Sequence, residues 1–247
     1  MKLGLPILCL VPLLAQSPAE RGMVHVDYTC TAEDIDSFGL ACTEERSCPI
    51  FFEVSAVDSA GSSVFVAGDI HTATTTLYGV LLSTEDGGAS WSEAIPRLRS
   101  TAFEQFQFRQ DHGWLSGQRL EPLPKDPFLM ITTNGGKDWH QRPLFEETRF
   151  GSIAQFWFDS ASAGQLIFDA SVGNRTKQEL YSTMTGGESW EIKQTSSKLL
   201  QLKTGRGSGS GWTVTTPPGS KAYLIERNAG GRKETLARFL IHIGDCK

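Results

Sequence analysis

Polar and apolar positions alternate in short runs along most of the chain, at the period of two that a half-buried strand requires. Phe52 to Val57, Phe103 to Phe108, Ile153 to Phe158 and Leu199 to Lys203 carry this pattern. A second run follows each of them: Val64 to Gly68, Gly113 to Gly117, Gly164 to Phe168 and Gly211 to Val214. A third run leads to a glycine pair, at Gly87-Gly88, Gly135-Gly136, Gly186-Gly187 and Gly230-Gly231. Every unit therefore predicts strand, turn, strand, long loop, strand, glycine hairpin, strand.

The hairpins align with one another, and Trp91, Trp139 and Trp190 recur roughly every 50 positions. Thr84, Asp86, Gly88 and Trp91 set the pattern. Thr132, Asn134, Gly136 and Trp139 repeat it, as do Thr183, Gly187 and Trp190, with Thr185 in place of the acid. An Asp or Asn here accepts backbone N–H bonds from residues just ahead, and paired glycines take the positive φ of a tight turn. The Trp anchors the outgoing strand. The fourth copy, Arg227 to Glu234, keeps the glycines but has neither acid nor Trp, so it should be looser. Four short strands per unit of this length predict an all-β fold, a β-propeller of four four-stranded antiparallel blades closing near the termini. A five-bladed ring, with residues 20–50 as a degenerate blade, is the alternative.

These hairpins resemble the Asp-box (BNR) repeat. With the Gly-Trp strand upstream, residues 50–235 are similar to the photosystem II assembly and stability factor family of propellers. That resemblance implies an exported assembly factor that holds a protein partner. The same repeat occurs in sialidase-like propellers, so a glycan-binding or glycoside hydrolase propeller is the alternative. It is not the favoured one: the sialidase Arg-Ile-Pro motif and arginine set are missing, and no catalytic residue can be named. Enzymatic activity is not expected.

The chain starts Met1-Lys2, then an apolar run from Leu3 to Leu14, then Ala15 to Ala19 with small residues. That is the layout of a signal peptide, so residues 1–19 are expected to direct export to periplasm or exterior. No later stretch is long and apolar enough to span a bilayer. Residues 20–50 should form a closing strand, from Met23 to Thr29, and a disulfide loop; residues 51–247 hold the repeats. Beyond Cys9 four cysteines remain, with three possible pairings. Cys42–Cys48 and Cys30–Cys246 are favoured, the second tying the ends together. A zinc site is disfavoured by the spacings, and no metal or cofactor is expected.

Net charge is −5, from 23 Lys and Arg against 28 Asp and Glu, so no basic field exists to hold nucleic acid. A monomer binding a protein partner is the expectation. Binding residues should lie in the loops between second and third strands. Asp69, Gln118 and Asp169 fall at equivalent places there, and His71, Arg119, Lys125 and Arg175 add polar groups nearby.

Overall fold

The computed structural model describes residues 23–202 and 211–247. The expected signal segment and Lys203 lie outside the described residues. In chain order the elements are β1 (Met23–Val24), α1 (Ala32–Ser37), β2 (Cys48–Ala60), β3 (Ser63–His71), β4 (Thr76–Thr84), β5 (Ser92–Glu93), β6 (Leu98–Arg99), β7 (Thr101–Arg109), β8 (His112–Leu120) and β9 (Pro124–Thr132). They continue with β10 (His140–Pro143), β11 (Ser152–Phe158), β12 (Gly164–Asp169), β13 (Gln178–Thr183), β14 (Glu191–Ser196), β15 (Trp212–Thr215), β16 (Ala222–Ala229), β17 (Arg232–Leu240) and β18 (His242–Cys246).

These strands form four sheets among the described residues. The first is β18-β2-β3-β4-β5, with β6 also on β4; the second is β10-β9-β8-β7; the third is β11-β12-β13-β14; the fourth is β1-β17-β16-β15. The fold is all-β, and the second and third sheets are four-stranded antiparallel meanders. Strand order within the units follows the hydrophobic pattern, with two differences. The N-terminal strand is shorter than Met23 to Thr29: only Met23 and Val24 pair, in parallel with β17. Leu199 to Leu202 does not form a ladder, although Leu202 N–H donates to Gln155 Oε1 (3.1 Å) just as Phe156 N–H donates to Gln105 Oε1 (3.2 Å). The helix α1 has no counterpart in the sequence expectation; its Thr31–Asp34 capping box satisfies two of the backbone donors at its start.

Apolar cores fill three junctions. Phe52, Val66, Ile225 and Phe239 pack between sheets one and four; Phe65, Leu81, Phe103 and Phe128 between one and two; Trp114, Ile131, Phe158 and Phe168 between two and three. Trp114 stacks on Phe158 with centroids 3.8 Å apart, and its Nε1–H donates to the Gly186 carbonyl (2.7 Å). Side chains on β2 and β7 replace backbone pairing across two of these junctions. Asp58 Oδ2 accepts from Phe108 N–H (2.7 Å), and Gln107 both donates to and accepts from the Phe158 backbone (2.9 Å each).

Three hairpins share one hydrogen-bond scheme. Thr84, Thr132 and Thr183 Oγ1 each accept from the second glycine of the pair, at 3.0, 3.0 and 3.1 Å. Asp86, Asn134 and Thr185 accept from the N–H four residues on, at 2.9, 3.0 and 3.0 Å. The threonine thus does what the acid does, through its hydroxyl. Gly136 cannot be anything larger: its φ is +86° and a Cβ there would meet the Phe65 ring at 2.2 Å. The fourth copy is tighter than expected. Without the acceptor side chains, β16 and β17 stay paired up to Ala229 and Arg232, and Gly230-Gly231 make a two-residue turn.

Both disulfides exist as expected. Cys30–Cys246 spans 216 positions and Cys42–Cys48 six. Cys48 and Cys246 face one another across β2 and β18, so the two bridges brace one spot.

Candidate functional site: a cavity between inner strands and an acidic cluster beside it

A cavity of about 570 Å³ lies between β2, β7, β11 and β15. Its walls alternate aromatic faces, Phe106, Trp157 and Trp212, with polar groups, Asp58, Gln105 and Arg109. Consecutive residues line it, Ser55 to Asp58 on β2 and Glu104 to Arg109 on β7, so the edges of these strands bound the cavity and bring apolar and polar neighbours to it together. Arg109 donates to the Phe158 carbonyl (2.9 Å) and stands over the Trp157 ring at 4.6 Å, so its charge is held in place. Burial pushes Asp58 up to about 6, against the backbone N–H bonds from Phe108 and Ser59 that favour its charged form.

Glu104 also lines this cavity and belongs to a second group, beside the cavity where β3 ends. Glu53 and Asp69 are direct partners in the β2–β3 ladder, and His71 pairs with Phe51 two positions on. One ligand atom from each of Glu53, Asp69 and His71 comes within 4.8 Å of the others. Asp69 is only 9% exposed and accepts no hydrogen bond among the described residues. Burial, before the neighbouring carboxylates Glu53 and Glu104, raises it to about 7, and His71 opposes this. Glu104 is likewise raised by burial, although Gln118 Nε2–H donates to it at 2.8 Å. Tyr223 of β16 closes the group from the fourth sheet, its hydroxyl pushed up by burial and by Glu53 and Asp69.

The candidate residues read from the sequence separate into two sets. Asp69, His71 and Gln118 meet here. Arg119 and Lys125 turn to Glu121, at 2.5 and 3.0 Å, on the surface of the second sheet. Asp169 and Arg175 stay on the third sheet: Asp169 accepts from Ser171 N–H (2.9 Å) and Gln178 Nε2–H (3.0 Å), while Arg175 bridges Val172 through its backbone. Burial would raise Asp169, but those bonds hold it below the usual carboxylate range. Sequence reasoning missed Glu53, Glu104 and Tyr223. The signal was a Phe-Glu pair at the start of the first strand in units one and two, Phe52-Glu53 and Phe103-Glu104.

Comparison with known proteins gives limited likenesses. No family model matches the chain. It is 27% identical over 119 residues to the Photosystem II assembly lipoprotein Ycf48 of Synechococcus sp. (strain CC9902), an alignment covering 47% of this chain. The chain spans only 31% of that relative's length. Among solved structures it is similar to YCF48 bound to D1 peptide, with TM-score 0.41 and 19% identity, over 76% of this chain and 57% of that one. It is also similar to a polysaccharide lyase of family 25, an ulvan lyase, with TM-score 0.42 and 11% identity, over 78% and 51%. A third is Zg3597, a family 117 glycoside hydrolase of Zobellia galactanivorans, with TM-score 0.41 and 12% identity, over 89% and 74%. Within the described residues, no helix is long and apolar enough to cross a membrane.

Proposed function

We propose that this chain is an exported, monomeric binding protein that holds an extended segment of a protein partner against the cavity between its inner strands. The observation that carries this reading is the cavity lining. Three half-buried aromatic faces next to an amide, a fixed guanidinium and a carboxyl suit a polypeptide, whose apolar side chains and backbone groups alternate. The sequence similarity to a photosystem II assembly protein supports the choice of an assembly role. Two disulfides support export, since they persist in oxidising compartments. Under this reading residues 1–19 are a removed signal peptide, and residues 20–50 carry the closing strand and disulfide loop. The glycine hairpins are Asp-box repeats of a four-bladed ring over residues 51–247. Trp157 and Trp212 on the same cavity support closure of the ring between sheets three and four.

The test is a screen of the full chain against an extended-peptide library and a glycan library. Peptide binding that falls at least about tenfold in Trp157→Ala, the loss of one aromatic contact, supports the proposal. Failure to bind any peptide, together with turnover of a glycan, overturns it.

A second reading, a glycan-cleaving propeller, draws on one observation. The Glu53 and Asp69 carboxylates stand within 4.8 Å, with Asp69 raised to about 7, an arrangement akin to the paired acids of retaining glycosidases. Glycan turnover abolished by Asp69→Asn would establish it.

A further inference from the structure

We propose that Glu53, Asp69 and His71 bind one first-row divalent cation, of the zinc or cobalt type, beside the cavity where β3 ends. Three independent features point there. First, the donor atoms already converge: all three lie within 4.8 Å of one another, and His71 Nε2 is 3.8 Å from Glu53 Oε2. Ligands 2.0–2.2 Å from one ion stand at most roughly 4.4 Å apart, so only a small side-chain adjustment closes the set.

Second, Asp69 is more than nine-tenths buried, faces the cluster, and has no hydrogen-bond donor among the described residues. A buried carboxylate normally has a donor or a cation, and here neither Lys nor Arg is among the charges that act on it; those are His71, Glu53 and Glu104. Third, the imidazole is set for ligation. His71 Nδ1 lies 2.7 Å from the Thr72 carbonyl, which can only accept, so Nδ1 carries a proton and Nε2 is the nitrogen that faces Glu53, at 3.8 Å. Metal-ligating histidines are usually fixed by such a bond on the other nitrogen.

The donor set selects the ion class. One imidazole beside two carboxylates favours a borderline ion over calcium or magnesium, which prefer all-oxygen shells. Three protein ligands leave positions open, for water or for a donor from a bound partner. Glu104, held by Gln118, stands behind the trio and adds negative charge.

The experiment is calorimetric titration of the chelator-treated full chain with zinc, paralleled by cobalt absorption spectra. One equivalent should bind, with cobalt bands of nitrogen and oxygen ligation and no thiolate charge-transfer band. Asp69→Asn and His71→Gln should each weaken binding by at least about tenfold, while His242→Gln, on the neighbouring strand, changes it less than about twofold. Magnesium and calcium at equal concentration should not compete. Glu53→Gln, on the exposed side of the cluster, decides the matter if either inner variant fails to fold. The proposal is overturned if wild-type protein takes up no stoichiometric zinc, or if binding survives in the folded variants.

Discussion

The first and third sheets each bury an acid, and they treat it in opposite ways. Glu179 on β13 is 5% exposed, yet Arg149 (2.9 Å) and Lys177 (3.2 Å) pair with it and the Tyr181 hydroxyl donates to it (2.7 Å). Burial alone would raise Glu179, but these partners hold it below the usual carboxylate range. Asp69 has comparable burial but no hydrogen-bond donor among the described residues, and only the nearby His71 opposes its rise. A repeat fixes where a side chain stands; the residue opposite decides what it does. At the equivalent ladder positions Asp69 faces Glu53, Gln118 faces Ala102 and Asp169 faces Ser152. Of these three positions, the one in the first sheet sets acid against acid.

The largest test of that contrast is covalent. The first sheet is tied to both ends of the described chain by Cys30–Cys246, whereas the third relies on non-covalent pairs. Replacing Cys30 and Cys246 by Ser should cost about 5 kcal/mol in denaturant unfolding, the entropy of releasing so long a loop. Next, Glu179→Gln leaves Arg149 without a carboxylate partner beside the Phe145 and Phe168 rings, its bond to the Tyr181 hydroxyl remaining. Since that guanidinium is about a third exposed, a loss of about 2 kcal/mol is expected, smaller at high salt.

Asp69→Asn should do the reverse. The folded-state value of Asp69 lies above its unfolded value, so its contribution is intact below about pH 4 and is lost as pH rises towards 7. Metal-free Asp69→Asn protein should therefore match wild type near pH 4 and be more stable by about 2–4 kcal/mol at pH 8. Glu179 has the opposite sign: its stabilisation is present at neutral pH and is lost on acidification through its lowered value. The smallest effect concerns the hairpins. Thr84→Ala and Thr183→Ala each remove the acceptor for a buried glycine N–H and should cost about 1–2 kcal/mol by thermal melt, alike in the two sheets.

Most of the architecture was readable from the chain because strand alternation, glycine pairs and recurring tryptophans are local signals. The cysteines were readable too, since one short and one long pairing was the arrangement that braced the ends. The site was readable only in part. Asp69, His71 and Gln118 announced themselves as polar residues at strand ends, but repeat alignment grouped them with Asp169 and Arg175, whose partners are Ser171, Gln178 and Val172. Glu53 and Glu104 sit in alternating strands where a polar residue reads as solvent-facing. Their meeting with Asp69 depends on cross-strand register and on two sheets abutting. The fourth hairpin departs from the sequence expectation for a related reason: losing the acceptor side chains loosens a side-chain network but lengthens a backbone ladder.

The contrast between the two buried acids can be measured directly by carboxyl ¹³C titration of the chelator-treated full chain. Asp69 should titrate near 7 and Glu179 below the ordinary range of a glutamate. Ordinary values for both would contradict the account, because the first sheet would then have no uncompensated acid to set it apart.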